Sequence, residues 1–211
     1  MNDEKDIYHG TTTIGIICED GVVMATDSRA TAGHFIASTA AKKVYRIGSR
    51  LAMTIAGGVG DAQQLVKIIS IETKMYKVSR EHSMSVKAAS NLLANILRAE
   101  RYYQYQVQLL LGGCDKTGAR LYSIDAAGGL IEESYFYSTG SGSPIAFGVL
   151  ESQYAEGMLC DEGIILAVRA LKTAMKRDAA SGNDIKVVKI TKDEYKEVPD
   201  EDVDYILEEM S

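Results

Sequence analysis

The sequence predicts an α+β domain in which two mainly antiparallel sheets face each other and a pair of helices covers the outer face of each. The first observation is the order of elements, which runs strands, two helices, strands, two helices, strand. The second is that strand segments are joined by short connections, which favour hairpins over the longer crossovers of parallel sheets. The third is that the helices carry apolar faces, which this arrangement would bury.

Strand segments open the predicted domain. "TTTIGIIC" and "GVVMATDSR" are β-rich runs joined by the short turn "EDG". "LAMTIAGG" is a third strand segment, and it ends at two glycines.

Two helices follow the third strand. "GDAQQLVKIISIETKMY" begins with Asp61, a residue type that caps helices, and its apolar face carries Leu65, Ile68, Ile69 and Tyr76. "SVKAASNLLANILRAERY" has apolar residues at helical spacing at Val86, Leu92, Leu93, Ile96 and Leu97.

The second half of the chain repeats this order. "VQLLLGGCD" and "ARLYSIDAAG" flank the turn "KTG", and we expect "IEESYFYSTG" to continue the same meander. "SPIAFGVLESQYAEG" and "DEGIILAVRALKTAMKRDA" are the second predicted pair of helices. A last strand, "IKVVKIT", precedes an acidic, weakly amphipathic tail that ends in "VDYILEEMS".

Composition and charge exclude several classes of function. The 211 residues suit one domain with a sizeable core, and 46% of them are hydrophobic. The formal net charge of -6 argues against binding to nucleic acid or to an anionic membrane surface. No apolar run approaches the roughly 20 residues that span a bilayer. The leader "MNDEKDIYHG" lacks the apolar centre of a secretory signal.

The cysteines and histidines predict neither a disulfide framework nor a metal site. Cys18, Cys114 and Cys160 are odd in number and widely spaced, as buried thiols of a cytosolic protein are. The three histidines are far apart and form no metal-binding motif. We therefore expect a cytoplasmic protein without metal or cofactor.

Three hydroxyls, Thr11 to Thr13, follow Gly10 at the start of the first strand. A threonine hydroxyl is a weak nucleophile unless a base lies within hydrogen-bond reach. Cleavage of the Gly10–Thr11 bond would give Thr11 a free amine, whose ordinary pKa of about 7.7–8.0 suits it to accept that proton. Gly10 lets the backbone bend tightly at the cleaved bond. The alternative is that the threonines only begin a strand, as threonine often does.

An ordered set of motifs decides between these interpretations. "GTTTIGI", "GVVMATDSR", "KKVYRI", "MTIAGGVGDAQ", "SIDAAGG", "STGSGSP" and "RDAASG" occur in this order over almost the whole chain. Together they resemble a proteasome β subunit, most closely the archaeal catalytic type. The resemblance implies a four-layer αββα sandwich with the N-terminal-nucleophile hydrolase fold. It also implies that residues 1–10 are a propeptide, removed autocatalytically, and that residues 11–211 form a single catalytic domain.

The resemblance assigns catalytic roles to three residues near the start of the chain. Thr11 matches the nucleophile, Lys43 the catalytic lysine, and Asp27 the carboxylate that pairs with it. A buried ammonium near Thr11 would lower the pKa of the neighbouring amine and hydroxyl, and a carboxylate would keep that ammonium charged and oriented. Lys42 is the natural control, because adjacent strand residues point to opposite faces. Without the resemblance, Asp27 and Lys43 would be ordinary solvated charges.

Four further positions match the site of this family. Gly57 in "AGGVG" matches the residue whose backbone N–H stabilises the oxyanion, a contribution of about 2.7–4 kcal/mol. Ser141 in "TGSGS", with Asp178 and Ser181 in "RDAASG", matches the polar cluster around the threonine amine. The alternatives are a turn glycine at the end of a strand, a flexible "GSGS" turn and a glycine-capped helix end in "DAASG".

The substrate pocket of the family maps onto six positions: Ala30, Ala41, Tyr45, Ile55, Val59 and Gln63. These side chains are small or uncharged, so we expect cleavage after hydrophobic residues. An acidic residue before the cleaved bond should bind poorly, because the pocket offers it no cation.

The resemblance also implies partners. It implies heptameric β rings stacked face to face between rings of α subunits, unfolded polypeptides as substrates, and a regulatory ATPase that acts indirectly. Neither nucleic acid nor membrane is an expected partner. "GGVGDA" lacks the GK[ST] ending of a phosphate-binding loop, so nucleotide binding is not predicted.

Three alternatives were weighed against a catalytic subunit. They are a non-catalytic structural subunit, a bacterial two-ring threonine peptidase, and an N-terminal-nucleophile amidase acting on a small molecule. Non-catalytic subunits lose the Gly–Thr junction, the lysine or the aspartate, whereas this chain keeps all three.

Overall fold

Twelve strands and five helices occupy residues 10–100 and 105–210, the part of the chain that the computed structural model describes. The strands are β1 (Thr13–Ile17), β2 (Gly21–Asp27), β3 (Ala30–Ala32), β4 (Phe35–Ser38), β5 (Val44–Gly48), β6 (Leu51–Gly57), β7 (Val107–Asp115), β8 (Gly118–Ile124), β9 (Leu130–Glu133), β10 (Phe136–Thr139), β11 (Ile185–Thr191) and β12 (Tyr195–Glu197). The helices are α1 (Val59–Arg80), α2 (Val86–Ala99), α3 (Ser143–Gln153), α4 (Cys160–Met175) and α5 (Asp200–Glu209). Apart from Gly10, the predicted propeptide lies outside the described residues.

Ten of these strands form two five-stranded sheets in which all neighbours are antiparallel. The first sheet has the order β10-β1-β2-β11-β12 and the second the order β5-β6-β7-β8-β9. Strands β3 and β4 form a separate hairpin. The sheets stack face to face, α1 and α2 cover the second, and α3 and α4 cover the first. The predicted fold class is therefore confirmed, a four-layer αββα sandwich.

Strand β2 shows how one strand serves two of the three hydrophobic layers. Successive side chains of a strand point to opposite faces. Val22 and Met24 accordingly pack against Leu110 of β7 between the sheets. Val23 and Ala25 point the other way and pack under α3 and α4. All seven residues of β2 are buried, which explains why its sequence is a nearly continuous apolar run.

The predicted apolar faces of α1 and α2 do cover a sheet. Leu65 and Ile69 of α1, and Leu93 and Leu97 of α2, are fully or almost fully buried over the second sheet. Half-buried side chains flank them at Ile68, Tyr76, Leu92 and Ile96. Fully burying one such side chain contributes about 1.5–3 kcal/mol, so this layer is a major part of the core.

The prediction that "IEESYFYSTG" continues one meander is wrong. The segment contains two strands that belong to different sheets, because β9 pairs with β8 whereas β10 pairs with β1. The rings of Phe136 and Tyr137 at the start of β10 pack against Phe147 of α3, a helix that covers the first sheet. This crossing brings the segment that follows β10 alongside the start of β1.

Asp61 does not cap α1. The helix begins at Val59 after Gly58, and no side chain caps it. Asp61 is the third residue of the helix, where its carboxylate accepts a hydrogen bond from the Gln106 backbone N–H at 3.1 Å. Its charge still lies in the first turn, where the helix dipole favours an anion.

Some elements were not predicted. The β3–β4 hairpin, β12 and α5 have no counterpart in the predicted order, and α5 forms within the acidic tail by burying Val203 in the layer of α4. Among the described residues, no helix combines the length and apolar character that crossing a membrane requires.

Candidate active site

Thr11 lies two residues before the start of β1 and is buried. The residue is 4% exposed. Its hydroxyl donates a hydrogen bond to the Gly10 carbonyl oxygen, with 2.6 Å between the two oxygens. Its backbone N–H donates to Ser141 Oγ at 3.2 Å. Both reactive groups of the predicted nucleophile are therefore already held in place.

The next two threonines occupy opposite faces of the first sheet. Thr12 Oγ1 lies 2.7 Å from Ser181 Oγ, on the side of α4. Thr13 Oγ1 lies between the sheets, 2.7 Å from Thr139 Oγ1, and accepts a hydrogen bond from Thr54 Oγ1 of the second sheet at 3.2 Å. The threonine run therefore contacts both the helical layer and the opposite sheet.

Asp27 ends β2 and is completely buried. Its Oδ1 accepts hydrogen bonds from Lys43 Nζ at 2.8 Å and from the Thr12 backbone N–H at 3.0 Å. Its Oδ2 accepts from the backbone N–H groups of Gly182 at 2.9 Å and Arg29 at 3.2 Å. Four donors thus compensate a charge that would otherwise be costly to bury.

Lys43 lies one residue before β5 and is 5% exposed. Burial lowers the pKa of its ammonium, while the charge and hydrogen bond of Asp27 oppose that shift. Lys42 behaves as the expected control. It is exposed, and its Nζ lies 5.6 Å from the centre of the Tyr45 ring. Of the two adjacent lysines, only Lys43 contacts the buried carboxylate.

A second carboxylate, Asp178, organises hydroxyl groups on the other side of Thr11. Asp178 Oδ2 accepts hydrogen bonds from Ser141 Oγ and Ser181 Oγ, both at 2.6 Å. Its Oδ1 accepts from the Ala180 backbone N–H at 3.2 Å. Because the Ser181 hydroxyl gives its proton to Asp178, Thr12 must be the donor in the Thr12–Ser181 bond. By the same reasoning Ser141 can act as acceptor for the Thr11 N–H.

Gly57 ends β6 with a φ of 107°, a backbone conformation that favours glycine. A Cβ there would overlap with the Gln106 carbonyl group. The preceding residue, Ala56, and the Thr11 carbonyl both lie next to Gly140. A Cβ placed on Gly140 would overlap with the Thr11 carbonyl oxygen and would lie 3.5 Å from the Ala56 Cβ. The end of β6 and the start of β1 therefore meet at Gly140.

Comparison with known proteins agrees with this arrangement. A family model described as "Proteasome subunit" matches residues 7–190. The chain belongs to the proteasome subunit family. It is 57% identical to a "Proteasome subunit beta" of Methanohalophilus mahii, with all of both chains covered. It is 54% identical to one of Ferroglobus placidus, with 97% of each chain covered, and 56% identical to one of Archaeoglobus profundus, with 98% of this chain and 96% of the relative covered.

Membership in this family gives the chain a coarse function. It is a β subunit of the proteasome core, a multi-subunit assembly with a peptidase role. The names of these relatives identify neither the nucleophile nor the substrate.

The six predicted pocket residues of this β subunit lie on five different segments. Ala30 begins β3, Tyr45 lies in β5, Ile55 in β6, Val59 and Gln63 in α1, and Ala41 in the connection before β5. The Tyr45 hydroxyl donates a hydrogen bond to the Lys42 carbonyl at 2.8 Å, and burial raises the pKa of Tyr45. Backbone bonds connect Ile55 to the Lys43 carbonyl at 2.9 Å and Ala41 to the Ser28 carbonyl at 2.8 Å. Of the six, Ile55 is buried, whereas Val59 and Gln63 are exposed.

Arg29 is a residue of this site that the sequence reasoning missed. Its guanidinium donates to the Ala179 carbonyl at 2.8 Å and to Asn183 Oδ1 at 2.9 Å. It lies directly against Gly182, where a Cβ would come 2.6 Å from Arg29 Nε. Arg29 thereby fastens the loop 179–183 to the end of β2. The only signal was its position in "TDSR", two residues after Asp27.

Proposed function

We propose that this chain is a catalytic β subunit, a threonine peptidase whose nucleophile is Thr11. The observation that carries the proposal is the 2.6 Å separation of Thr11 Oγ1 from the Gly10 carbonyl oxygen. A hydroxyl at this distance is close to the carbonyl carbon of the bond that must be cut. The buried Asp27–Lys43 pair and the Asp178 hydroxyl cluster give the site the charge and the acceptors that such chemistry needs.

Removal of the leader follows from this geometry. Thr11 Oγ attacks the Gly10 carbonyl carbon, the C–N bond to Thr11 breaks, and the hydroxyl proton passes to the nitrogen that becomes the Thr11 amine. Water then hydrolyses the resulting ester between Gly10 and Thr11. The products are a leader that ends in the Gly10 carboxylate and a chain that begins at Thr11 with a free amine and a free hydroxyl.

Substrate cleavage uses the amine that this step releases. The amine accepts the Thr11 hydroxyl proton, directly or through water, while the oxygen attacks the carbonyl carbon of a peptide. The Gly57 N–H is the proposed donor to the oxyanion. The Lys43 ammonium, held by Asp27, favours the unprotonated amine beside it. The amine then gives its proton to the leaving peptide nitrogen, and water hydrolyses the ester.

Intact mass and peptidase activity of the assembled particle test this proposal. Wild-type particles should contain chains that begin at Thr11. Thr11→Ala should retain residues 1–10 and lose peptidase activity, because it removes the attacking oxygen. Thr11→Ser, the matched control, keeps a hydroxyl and should still lose the leader. Wild-type rates of hydrolysis in Thr11→Ala particles would overturn the proposal.

The proposed substrates are unfolded polypeptides cleaved after hydrophobic residues. The pocket positions offer Ile55, Val59 and Ala30 as apolar groups, and none of the six carries a charge. Fluorogenic peptides with Leu, Phe or Tyr before the cleaved bond should give a higher kcat/KM than peptides with Glu or Arg. The reverse order would refute this pocket while leaving Thr11 as nucleophile intact.

The proposed setting is a closed chamber in the cytoplasm. Heptameric β rings between α rings, fed by a separate regulatory ATPase, would restrict the sites to unfolded chains. Such seclusion is the physical reason that an unselective peptidase is tolerated among folded proteins. Native mass spectrometry of the assembled particle measures the ring stoichiometry directly.

A further inference from the structure

Gly10, the last residue of the leader, lies directly against Ala180. A Cβ placed on Gly10 would overlap with the Ala180 Cβ, and would lie 2.6 Å from its Cα and 2.8 Å from its carbonyl carbon. Atoms of real proteins do not approach so closely. Two of these three neighbours are backbone atoms, so rotation of a side chain does not relieve the overlap.

The position of Ala180 is fixed by hydrogen bonds to both carboxylates, Asp27 and Asp178. Its own N–H donates to Asp178 Oδ1 at 3.2 Å, and the next N–H, that of Ser181, donates to the Asp178 carbonyl at 3.2 Å. On the other side, the Gly182 N–H donates to Asp27 Oδ2 at 2.9 Å. The preceding carbonyl, that of Ala179, accepts from Arg29. A loop held at four successive residues does not retreat easily from a larger neighbour.

The orientation of Gly10 is fixed as well. Its N–H donates to Thr31 Oγ1 at 3.2 Å, and its carbonyl oxygen accepts from Thr11 Oγ1 at 2.6 Å. With both backbone groups held, the side-chain position of Gly10 points at Ala180. Any other L-residue must move the loop or lose one of these two bonds, and the second bond aligns the attacking oxygen.

We propose that Ala180 is a positioning residue that restricts the self-cleavage site to glycine. This inference rests on the proposed function of Thr11. If Ala180 has this role, the residue before the cleaved bond contacts one surface in the leader and a different surface in a peptide substrate. The leader presents Gly10 to Ala180, whereas a substrate presents a large side chain to the separate pocket that contains Ile55 and Tyr45.

A rescue experiment tests this role, with the rate of leader loss during assembly followed by intact mass. Gly10→Ala should slow leader removal by at least about tenfold, because overpacking a fixed contact displaces the scissile carbonyl. Adding Ala180→Gly removes the overlapping Cβ, and should raise the rate of Gly10→Ala at least about threefold, since two residues in contact are energetically coupled. The rescue is partial because the Ala180 backbone remains close.

Ala179→Gly is the matched control, since it gives the same loop the same added backbone freedom one residue away. Ala179 is exposed, and the three atoms nearest the Gly10 Cβ position all belong to Ala180 instead. It should leave Gly10→Ala as slow as before. Equal rescue by both glycines, or wild-type leader removal in Gly10→Ala, would overturn the role of Ala180.

A chain produced with Thr11 as its first residue separates this inference from the proposed function. If that chain cleaves peptides and Ala180→Gly fails to rescue Gly10→Ala, only the role of Ala180 is wrong. If that chain assembles and is inactive, the threonine mechanism itself is wrong.

Discussion

Two carboxylates, Asp27 and Asp178, lie near Thr11, yet they hold different partners. Asp27 is completely buried and binds a cation, Lys43, together with three backbone N–H groups. Asp178 is half-buried and binds two hydroxyls and one backbone N–H. The difference indicates a division of labour, in which Asp27 sets the charge near Thr11 and Asp178 orients the hydroxyls around its nitrogen.

The largest effect is expected when the ion pair between Lys43 and Asp27 is broken. Lys43→Ala should reduce kcat by about 10²–10⁴-fold, the range of a lost acid–base group. It should also lower the free energy of unfolding by about 3–5 kcal/mol, because Asp27 would remain buried without its cation. Peptidase kinetics and denaturant unfolding of the isolated chain measure the two effects.

Lys42→Ala is the control for this prediction, because Lys42 is adjacent, exposed and of the same chemistry. It should change the free energy of unfolding by no more than about 0.5 kcal/mol. If both lysine variants change activity and stability equally, the Lys43–Asp27 pair has no specific role in either.

A smaller effect is expected from changing Asp178, which holds the hydroxyls of Ser141 and Ser181. Asp178→Asn keeps one oxygen acceptor and removes the charge that strengthens the bonds from Ser141 and Ser181. Hydrogen bonds to charged groups contribute about 1.5–3 kcal/mol, so kcat should fall by about 10–100-fold. Kinetics with a hydrophobic peptide measure this loss. A greater loss of kcat than in Lys43→Ala would show that Asp178 matters more for activity than Lys43, against the proposed order.

The smallest effect is a shift in pH dependence. Burial holds the pKa of Lys43 below its ordinary 10.5, and Asp27 opposes that shift more strongly than Asp178 does. Activity should therefore fall on the alkaline side as Lys43 loses its proton. Asp27→Asn should move this alkaline limb to lower pH, and Asp178→Asn should move it less. Profiles of kcat/KM against pH compare the variants, and equal shifts would contradict the division of labour.

The same pKa direction has a consequence for stability. Between the folded and the unfolded pKa of Lys43, the unfolded chain binds more protons than the folded one. This lysine therefore makes the free energy of unfolding increase with pH in that alkaline window. The sign is opposite to that of a lysine whose ion pair raises its pKa.

Periodicity and turn residues were enough to predict most of the fold. Regular strands such as β2 and amphipathic helices such as α2 are encoded by neighbours in the sequence. The crossing of β10 to β1 was missed because it depends on pairing with a strand about 120 positions earlier in the chain, where Ile16 lies opposite Phe136. Hairpin β3–β4 was missed because its strands are only three and four residues long.

The site, too, contains residues that the sequence predicted and residues that only the folded chain brings together. Thr11, Asp27 and Lys43 were assigned by motif, and the structure brings Thr12, Asp27 and Lys43 into one hydrogen-bonded group. Their catalytic roles stay predictions. The contacts of Arg29 and Ala180 join residues at least 150 positions apart, and no local pattern signals them.

The hydroxyl contact between Thr13, Thr54 and Thr139 sets the alignment of the two sheets. The side chains around this contact between the sheets, such as Met24, Leu110 and Leu121, are apolar, and their attraction has no preferred direction. Hydrogen bonds are directional. These hydrogen-bonded threonines lie close to the proposed nucleophile, Thr11, and therefore oppose sliding of the sheets where a displacement of a fraction of an ångström would misalign its hydroxyl oxygen.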